Sequence, residues 1–322
     1  MNLESVRAFV AVAEEGQFRH AATRLGVTQQ AVSKRIATLE SQLGVALFRR
    51  VPTGAVLTGH GESFLPHARA VLMAVRQAVA SVRTAGDPLR VDVLRSHLAS
   101  AEILRDFHRT HPDVPLESVT LAKADAALRA LLDGEIDVAF AYLRSPVEER
   151  DPLLTSTPVH FEGLEVVVGA RHPLARAERL RPGDLGHFTA WMPGIVGGSE
   201  WGEFYREFGE AFSLVIDSSG PNFGPEALLE TIAASSSLIT FVGQKTRLTW
   251  PEDETLYRIP LVDPTPTYPW SLVWHSHNRP PGLRDLVSYV RAGFRPPGRA
   301  SVWLPGGTGI PAPRRFDLPA QL

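Results

Sequence analysis

The sequence predicts an α/β protein with a small helical N-terminal domain, a long connecting helix and a larger C-terminal domain. Three observations support this prediction. The chain has 322 residues, enough for about two domains. Its first part repeats apolar residues at helical spacing, whereas its second part alternates short apolar runs with helical patterns. Hydrophobic residues make up 44% of the chain and charged residues 21%, as in an ordinary globular protein.

The charge is unevenly distributed along the chain. Residues 1–86 carry ten Lys or Arg and five Asp or Glu, while the remaining residues carry a net charge of −7. A basic N-terminal part on an acidic body is typical of a nucleic-acid-binding domain attached to a second domain. The absence of cysteine excludes disulfides and thiolate metal sites. No apolar run reaches the roughly 18 residues of a membrane helix and no signal peptide is evident, so we expect a cytoplasmic protein.

The first three predicted helices form a helix-turn-helix. The first helix begins at Leu3, with Asn2 as its N-cap, and ends at Gly16. A second short helix ends at Gly26, a residue type that suits a helix C-terminus. Thr28 is the predicted N-cap of a third helix, whose apolar stripe consists of Val32, Ile36, Leu39 and Leu43. Two short helices joined by a tight glycine-containing turn are typical of the helix-turn-helix.

The third helix has a polar face opposite its stripe, which suits DNA recognition. Glutamine pairs with adenine through two hydrogen bonds, and lysine reaches guanine or a phosphate; an ordinary solvated face is the alternative.

Residues 46–58 form two strand-like pieces around Pro52-Thr53-Gly54, which predicts a wing. Its arginines would contact phosphates or the minor groove, although similar hairpins occur in proteins that bind no DNA. The candidate DNA-contacting residues are Thr28, Gln29, Gln30, Ser33, Lys34, Arg49, Arg50 and Thr53.

A long helix is predicted after Gly61. A helix from Glu62 to Ala85 would span roughly 36 Å. Its single apolar stripe needs a partner, and a second copy of the chain is the simplest one; packing on its own domain is the alternative. The predicted dimerisation residues are Leu65, Ala68, Leu72, Val75, Val79 and Val82.

These motifs resemble the DNA-binding domain of LysR-type transcriptional regulators. The resemblance covers residues 1–85 almost without gaps and is carried by FVAVAEEGQFRHAATRLGVTQQAVSKRIATLESQLGVALFRR, followed by LTGHGESFLPHA. It implies a winged helix-turn-helix over residues 1–58 and a linker and dimerisation helix over residues 59–86. The sequence departs from the family at Gln30, where members usually have proline, and in a slightly short wing.

Beyond a break at Gly86-Asp87-Pro88, strands and helices alternate, which predicts a mainly parallel sheet. The predicted strands are 89–94, 116–119, 136–141, 164–169, 238–242 and 272–274, and the predicted helices are 98–110, 124–132, 225–234 and 282–292. With PDVPLESVTL, LLDGEIDVAFAY and GARHPLA in order, this part resembles the effector-binding domain of the same family, which is similar to type 2 periplasmic binding proteins. The resemblance implies two α/β subdomains over residues 87–294, with a small-molecule effector in the cleft between them.

Several side chains are predicted to face this cleft, because open α/β sheets bind ligands beyond their C-terminal strand ends. Ser96 and His97 open the helix at Leu98, where free N–H groups and the helix dipole favour an anion, so an anionic effector is expected. A structural hydrogen bond is an equal alternative for His97, and core packing is the alternative for each aromatic. The loop from Pro193 to Ser199 suits a mobile lid better than a phosphate cradle. The other candidate effector-binding residues are Tyr142 and Phe241, each at the end of a predicted strand, and Trp191, Met192 and Asn222 in predicted loops.

The chain contains no complete enzyme motif. The stretch from Gly197 to Trp201 lacks the final glycine of a G-x-S-x-G elbow, and neither a P-loop nor H-E-x-x-H is present. The histidine pairs 108/111 and 275/277 lack a nearby carboxylate cluster, so a structural role is expected for them and no metal or other cofactor; a weak metal site at either pair is the alternative. Residues 295–322 contain six Pro and four Gly, and we expect them to form a disordered tail in which Arg314-Arg315 could touch DNA.

The resemblance therefore implies a transcriptional regulator, not an enzyme, whose operator binding changes when an effector enters the cleft. The implied partners are an inverted-repeat operator in double-stranded DNA, since dimer symmetry mirrors operator symmetry, the effector, and a second copy in a homodimer or homotetramer. RNA polymerase is a further partner if the protein activates transcription, and no membrane partner is expected. An α/β enzyme with a DNA-binding arm and an architectural DNA-binding protein stay open as alternatives.

Overall fold

The computed structural model describes residues 1–52, 54–80, 82, 86–95, 98–121, 124–143, 147–197, 199–248, 255–296 and 302–307. The chain divides into two compact units. The N-terminal unit contains residues 1–83 together with residues 132–134, and the C-terminal unit contains residues 84–131 and 135–322. The division falls next to the glycine- and proline-containing break that the sequence shows at residues 86–88.

The described residues of the N-terminal unit form four helices and a hairpin in the predicted order. The side-chain oxygen of Asn2 accepts a hydrogen bond from the backbone N–H of Glu4 at 2.8 Å, and the hydroxyl of Thr28 accepts one from Ala31 at 3.2 Å. Both predicted caps are confirmed, and Gly16 ends the first helix with a φ of 65°. The elements are α1 (Leu3–Glu15), α2 (Phe18–Arg24), α3 (Gln29–Leu43), β1 (Phe48–Val51), β2 (Gly54–Leu57) and α4 (Gly59–Ala80).

The core of this unit forms where the apolar side of α3 packs with α1. Val32, Ile36 and Leu39 are buried, as predicted, in one cluster with Phe9 of α1. Leu43, the predicted fourth residue of the stripe, is 39% exposed because it is the last residue of α3 and lies beyond the core. Burial of the stripe sets the rotation of α3 and leaves its polar side in solvent.

Helix α4 begins three residues earlier than predicted. The carbonyl oxygen of Thr58 accepts a hydrogen bond from the backbone N–H of Glu62 at 2.8 Å, and its hydroxyl accepts one from Gly61 at 3.1 Å. Thr58 therefore caps the helix. The first half of α4 is attached to α1 by an ion pair between Arg69 and Glu14, with 2.9 Å between nitrogen and oxygen.

The apolar stripe of α4 is divided along its length. Ala68 and Leu72 are buried in the core of their own unit, and Leu65 packs against that core. The predicted dimerisation role is corrected for Ala68 and Leu72, because their own domain already covers these side chains, whereas Leu65 is half-buried. By contrast, Val79 is 62% exposed and Val82, just beyond α4, is 76% exposed.

The hairpin is fixed to its neighbours on two sides. The backbone N–H of Ala55 donates to the carbonyl oxygen of Gly16 at 2.7 Å, and a Cβ on Gly54 would collide with that oxygen. A carboxylate oxygen of Glu40 in α3 accepts hydrogen bonds from the backbone N–H groups of Leu47 and of the first residue of β1, at 2.7 and 3.1 Å. One carboxylate therefore links α3 to the wing.

The C-terminal unit contains each of the predicted helices and strands, although two of the strands are much longer than predicted. Its helices are α5 (Ala99–Thr110), α6 (Ala124–Leu132), α7 (Val147–Arg150), α8 (Glu200–Phe212), α9 (Pro225–Ala234) and α10 (Leu283–Gly293). Its strands are β3 (Leu89–Asp92), β4 (Leu116–Val119), β5 (Val138–Tyr142), β6 (Leu154–Gly169), β7 (Thr189–Trp191), β8 (Val215–Asp217), β9 (Leu238–Gly243), β10 (Leu256–Pro260), β11 (Thr265–His275) and β12 (Val302–Trp303).

The sheet of this unit forms two lobes joined by two long strands. In the first lobe, β3 pairs in parallel with β4 and β5. In the second lobe, β7 pairs in parallel with β8 and β9. Strands β6 and β11 run antiparallel to each other, and they also pair antiparallel with β9 and β5 respectively. The predicted parallel pairing is thus confirmed within each lobe. It is wrong for β6 and β11, the strands that connect the lobes, because they pair antiparallel with each other and with their other neighbours.

In the described part of the C-terminal unit, six elements were not predicted: α7, α8, β7, β8, β10 and β12. The last of these also corrects the predicted tail, because Val302 and Trp303 pair in parallel with the start of β11. Trp303 packs against the main core, so residues 302–307 have an apolar anchor despite their proline and glycine content. Arg314 and Arg315 lie outside the described residues.

The link between α3 and the wing yields a stability prediction. Glu40→Ala removes the acceptor of two partly buried N–H groups, and the free energy of unfolding of the N-terminal unit should fall by about 1–3 kcal/mol. Calorimetric unfolding of the full chain measures the change. Gln42→Ala, at an exposed position of the same helix, is the control and should change stability far less. Equal stability of the two variants would contradict the assigned role of Glu40.

Candidate functional site

The solvent side of α3 carries most of the residues predicted to contact DNA. Gln29, Gln30 and Lys34 are exposed, and Ser33 is half-buried beside them. Thr28 is also exposed, but its hydroxyl accepts the capping hydrogen bond and so fixes the start of the helix. The buried stripe on the opposite side holds these polar side chains on one outward surface.

The wing adds one described basic side chain to this surface. Arg49 lies exposed on β1, opposite Val56 in the register of the hairpin. The side chain of Arg50 and the whole of Thr53 lie outside the described residues. Because the hairpin is attached both to the α1–α2 turn and to α3, Arg49 has a defined position relative to α3.

Helix α2 carries two further candidates that were not selected from the sequence. Arg19 and His20 are both exposed on α2. The first helix of a helix-turn-helix crosses the DNA backbone, so an exposed basic residue in α2 is suited to a phosphate contact. The position of Arg19 within the motif was the signal that could have identified it.

In the C-terminal unit, aromatic side chains from both lobes meet beside the crossing strands. The ring centroid of Tyr142, at the end of β5, lies 5.0 Å from that of Tyr268 on β11. Tyr268 in turn lies 5.3 Å from Trp201 and 5.1 Å from Phe204, both in the first half of α8. We term these four residues the aromatic bridge, because they connect the end of a first-lobe strand to a second-lobe helix.

A buried carboxylate stands next to the aromatic bridge. Glu162 on β6 is 3% exposed and accepts hydrogen bonds from the indole N–H of Trp270 at 2.8 Å and from the backbone N–H of Lys245 at 3.0 Å. Burial raises the pKa of Glu162, and the hydrogen bond from Trp270 opposes this shift. The Trp270 ring lies 5.1 Å from Tyr268. Glu162 thus joins β6, β11 and the turn after β9 where the chain crosses between the lobes.

The polar groups around the bridge are mainly phenols and carboxylates. The hydroxyl of Tyr268 donates to a carboxylate oxygen of Glu200 at 3.4 Å, and burial together with the charge of Glu200 raises the pKa of Tyr268. On β6, burial and then the charge of Lys245 lower the pKa of His160 to about 4, so this imidazole is neutral at pH 7. Phenol and carboxylate oxygens thus lie together beside flat aromatic surfaces.

The predicted effector residues are only partly brought together by the described structure. Tyr142 belongs to the aromatic bridge. Phe241 is buried inside β9, not at its end as predicted, and stacks on Tyr205 of α8 with 5.9 Å between ring centroids. Met192 is buried in the same core cluster. Ser96 and His97 lie outside the described residues.

Trp191 and Asn222 stabilise loops of the second lobe. Trp191 ends β7 and does not lie in a loop as predicted, and its indole N–H donates to the carbonyl oxygen of Ser219 at 3.1 Å. The side-chain oxygen of Asn222 accepts a hydrogen bond from the backbone of Gly224 at 3.0 Å. The same side chain packs so closely against Gly194 that a Cβ there would collide with it.

The bridge residues of α8 and the carboxylate were missed for different reasons. The large aromatic residues of α8 follow helical spacing, a signal that was present in the sequence although no helix was predicted there. They are Trp201, Phe204, Tyr205, Phe208 and Phe212. Glu162 gave no local signal, because its indole partner lies 108 residues away along the chain.

The described residues contain neither a metal-binding cluster nor a helix able to cross a membrane. Within them, no group of three or more His, Asp or Glu side chains is placed to hold a metal ion. His275 and His277 lie close together, but the backbone N–H of His277 donates to the ring of His275 at 3.1 Å in a local turn. None of the helices in the described ranges is both long enough and apolar enough to cross a bilayer.

A winged helix-turn-helix in one unit and a two-lobed α/β domain in the other define the class of ligand-responsive DNA-binding proteins. Residues 3–62 match the family model for bacterial regulatory helix-turn-helix proteins of the lysR family, and residues 88–295 match the LysR substrate binding domain. The chain belongs to the LysR family of transcriptional regulators.

Individual proteins of known sequence or structure are also similar to this chain. A probable hydrogen peroxide-inducible genes activator of Mycobacterium avium is 33% identical over 184 residues, which are 55% of this chain and 58% of that protein. The uncharacterized HTH-type transcriptional regulator YdcI of Escherichia coli is 32% identical over 243 residues, 74% of this chain and 75% of that one. Full-length CbnR complexed with its target DNA has the same fold, with a TM-score of 0.51 and 24% identity over 91% of this chain and 99% of that chain.

The buried Glu162 predicts a specific pH dependence of stability. A carboxyl group whose pKa is raised on folding contributes stability below its ordinary pKa, near 4.5, and this contribution is lost as the pH rises through the raised pKa. Glu162→Gln should therefore flatten the pH profile of unfolding above about pH 4.5, as measured by calorimetry. Glu117→Gln, at an exposed position of β4, serves as the control. A profile that keeps its wild-type slope in Glu162→Gln would disprove the assignment.

Proposed function

We propose that this protein binds operator DNA through α3 and responds to a small molecule held between the lobes of its C-terminal unit. The observation that carries the proposal is the two-sided character of α3. Its stripe is buried against α1, while Gln29, Gln30 and Lys34 face solvent. A helix-turn-helix places such a face in the major groove. The proposed function is therefore regulation and not catalysis, and the proposed location is the cytoplasm. The proposed domains are the winged helix-turn-helix (1–58), the linker helix (59–86) and the effector-binding domain (87–294).

The proposed DNA contacts divide into two types. Gln29 and Gln30 are suited to base edges, because a glutamine amide forms two hydrogen bonds with adenine. Lys34 and Arg49 are suited to phosphates, which position the protein without selecting a sequence. Arg50, Thr53, Ser33 and Thr28 complete the proposed surface. Two copies of it would contact the two halves of an inverted repeat.

A second copy of the chain is the proposed partner of the C-terminal end of α4. Val79 and Val82 expose most of their apolar side chains, and half-buried Val75 precedes them on the same stripe. Covering exposed apolar surface is favourable by about 25 cal/mol per Å². Self-association of these segments would therefore bring two recognition helices together in a homodimer or a homotetramer.

The proposed effector lies where the two lobes meet, next to the aromatic bridge. Flat aromatic surfaces with a few polar groups are typical of small-molecule sites, and Tyr142, Tyr268 and Glu200 supply them here. An anionic group of the effector would bind at the start of α5, near Ser96 and His97.

Mapping the genomic sites occupied by the protein would identify neighbouring genes and, through them, candidate effectors. RNA polymerase is a further partner if those genes are activated.

Two substitutions on α3 should have different effects on DNA binding. Lys34→Ala removes one ionic contact, so the slope of log affinity against log salt should become shallower by roughly one unit. Gln30→Ala should relax the preference at one base position, at a cost of about 1–3 kcal/mol, and leave the salt slope unchanged. Fluorescence anisotropy with operator variants at several salt concentrations measures both effects.

A control on the same helix completes this experiment. Gln42→Ala lies at an exposed position near the C-terminal end of α3, away from the proposed contacts, and should bind the operator normally. If Lys34→Ala and Gln30→Ala are folded and also bind normally, α3 is not the recognition helix.

Self-association through α4 makes a separate prediction. Val79→Asp with Val82→Asp would place unpaired charges in the proposed contact, where burial is strongly unfavourable. Dimers should dissociate in sedimentation velocity, and operator affinity should fall with them because the linked second half-site contact is lost. His67→Asp, at an exposed position nearer the start of α4, is the charge control. A double variant that stays dimeric would place the contact elsewhere.

A further inference from the structure

The C-terminal segment adds a strand beyond the part of the chain that the family models match. That match ends at residue 295, whereas β12 is formed by Val302 and Trp303. Strand β12 lies parallel to the start of β11, with Trp303 opposite Pro266. We term residues 302–307 the C-terminal strap.

The strap is anchored on α8 by a single large side chain. The ring of Trp303 lies 5.3 Å from Phe208 and 5.7 Å from both Phe204 and Phe212, between ring centroids. These three phenylalanines are four residues apart and therefore share one side of the helix. Pro305 is buried just after this contact. The strap thus covers one aromatic side of α8 along most of its length.

Phe204 belongs both to this contact and to the aromatic bridge. Its ring centroid lies 5.1 Å from that of Tyr268 and 6.4 Å from that of Tyr142, as well as 5.7 Å from that of Trp303. Protein interiors are close-packed, so a displacement of Phe204 on one side must be accommodated on the other. A continuous row of rings therefore leads from the strap to the end of β5 in the first lobe.

We propose that Trp303 is a positioning residue that holds α8 against the aromatic bridge, and that the C-terminal strap is a latch on the effector site. With the strap in place, Phe204 is confined between Trp303 and Tyr268. Release of the strap would free the first half of α8 and loosen its contact with Tyr142. This inference rests on the proposed effector site between the lobes, and it assigns to the strap the regulation of that site.

Hydrogen–deuterium exchange of the full-length protein tests the latch. Exchange reports the local opening of each element. In Trp303→Ala, backbone amides of the first half of α8 and of β5 should exchange about tenfold faster or more, while α9 and α5 keep wild-type rates. Trp303→Phe, which keeps an aromatic ring, should restore slow exchange. If Trp303→Ala does not fold, Trp303→Leu replaces it with the same expectation.

Two outcomes would overturn the proposal. Faster exchange confined to β12 and the start of β11 would show that the strap packs passively. A uniform increase over the whole C-terminal unit would show a general stabilising role without coupling to the bridge. Phe204→Leu provides the coupling test, because its effect on β5 and that of Trp303→Ala should be non-additive if Phe204 is the connection. Operator affinity, measured separately, tests the proposed function, so the two failures are distinguishable.

Discussion

The antiparallel pairing of β6 with β11 is the interaction on which both lobes of the C-terminal unit depend. The sheet of the first lobe attaches to β11 through β5, and that of the second lobe attaches to β6 through β9. Glu162 lies in this pairing and is held by Trp270 and the backbone of Lys245. A buried carboxylate is costly unless it is hydrogen-bonded, and here its hydrogen bonds fasten the two strands to each other and to the second lobe.

Much of the N-terminal unit could be predicted because its determinants are local. The caps at Asn2 and Thr28 and the turn at Gly16 act within a few residues of their helices, and all are present. The division of the α4 stripe could not be predicted, because a domain core and a second copy of the chain require the same apolar spacing. Periodicity shows that a side of a helix is buried, but not by what.

The C-terminal unit could be predicted as alternating strands and helices, but its crossing and its candidate site depend on distant partners. The first half of β6 mixes polar and apolar residues, and its strand character comes from pairing with β11 more than 100 residues later. Tyr142 could be selected because it ends a recognisable strand. Glu162 and Tyr268 could not, since their environment exists only when β6, β11 and α8 come together.

The length of α4 has a mechanical consequence for any assembly of this protein. The first half of α4 is fixed to α1 through Arg69 and Glu14, so the helix-turn-helix and α4 tilt together. The helix has 22 residues and is therefore about 33 Å long. A tilt of about 10° at one end displaces the other by about 6 Å, more than the rise of about 3.4 Å between successive base pairs. A small angular difference between two associated copies would therefore shift the spacing of their DNA contacts by one base pair or more.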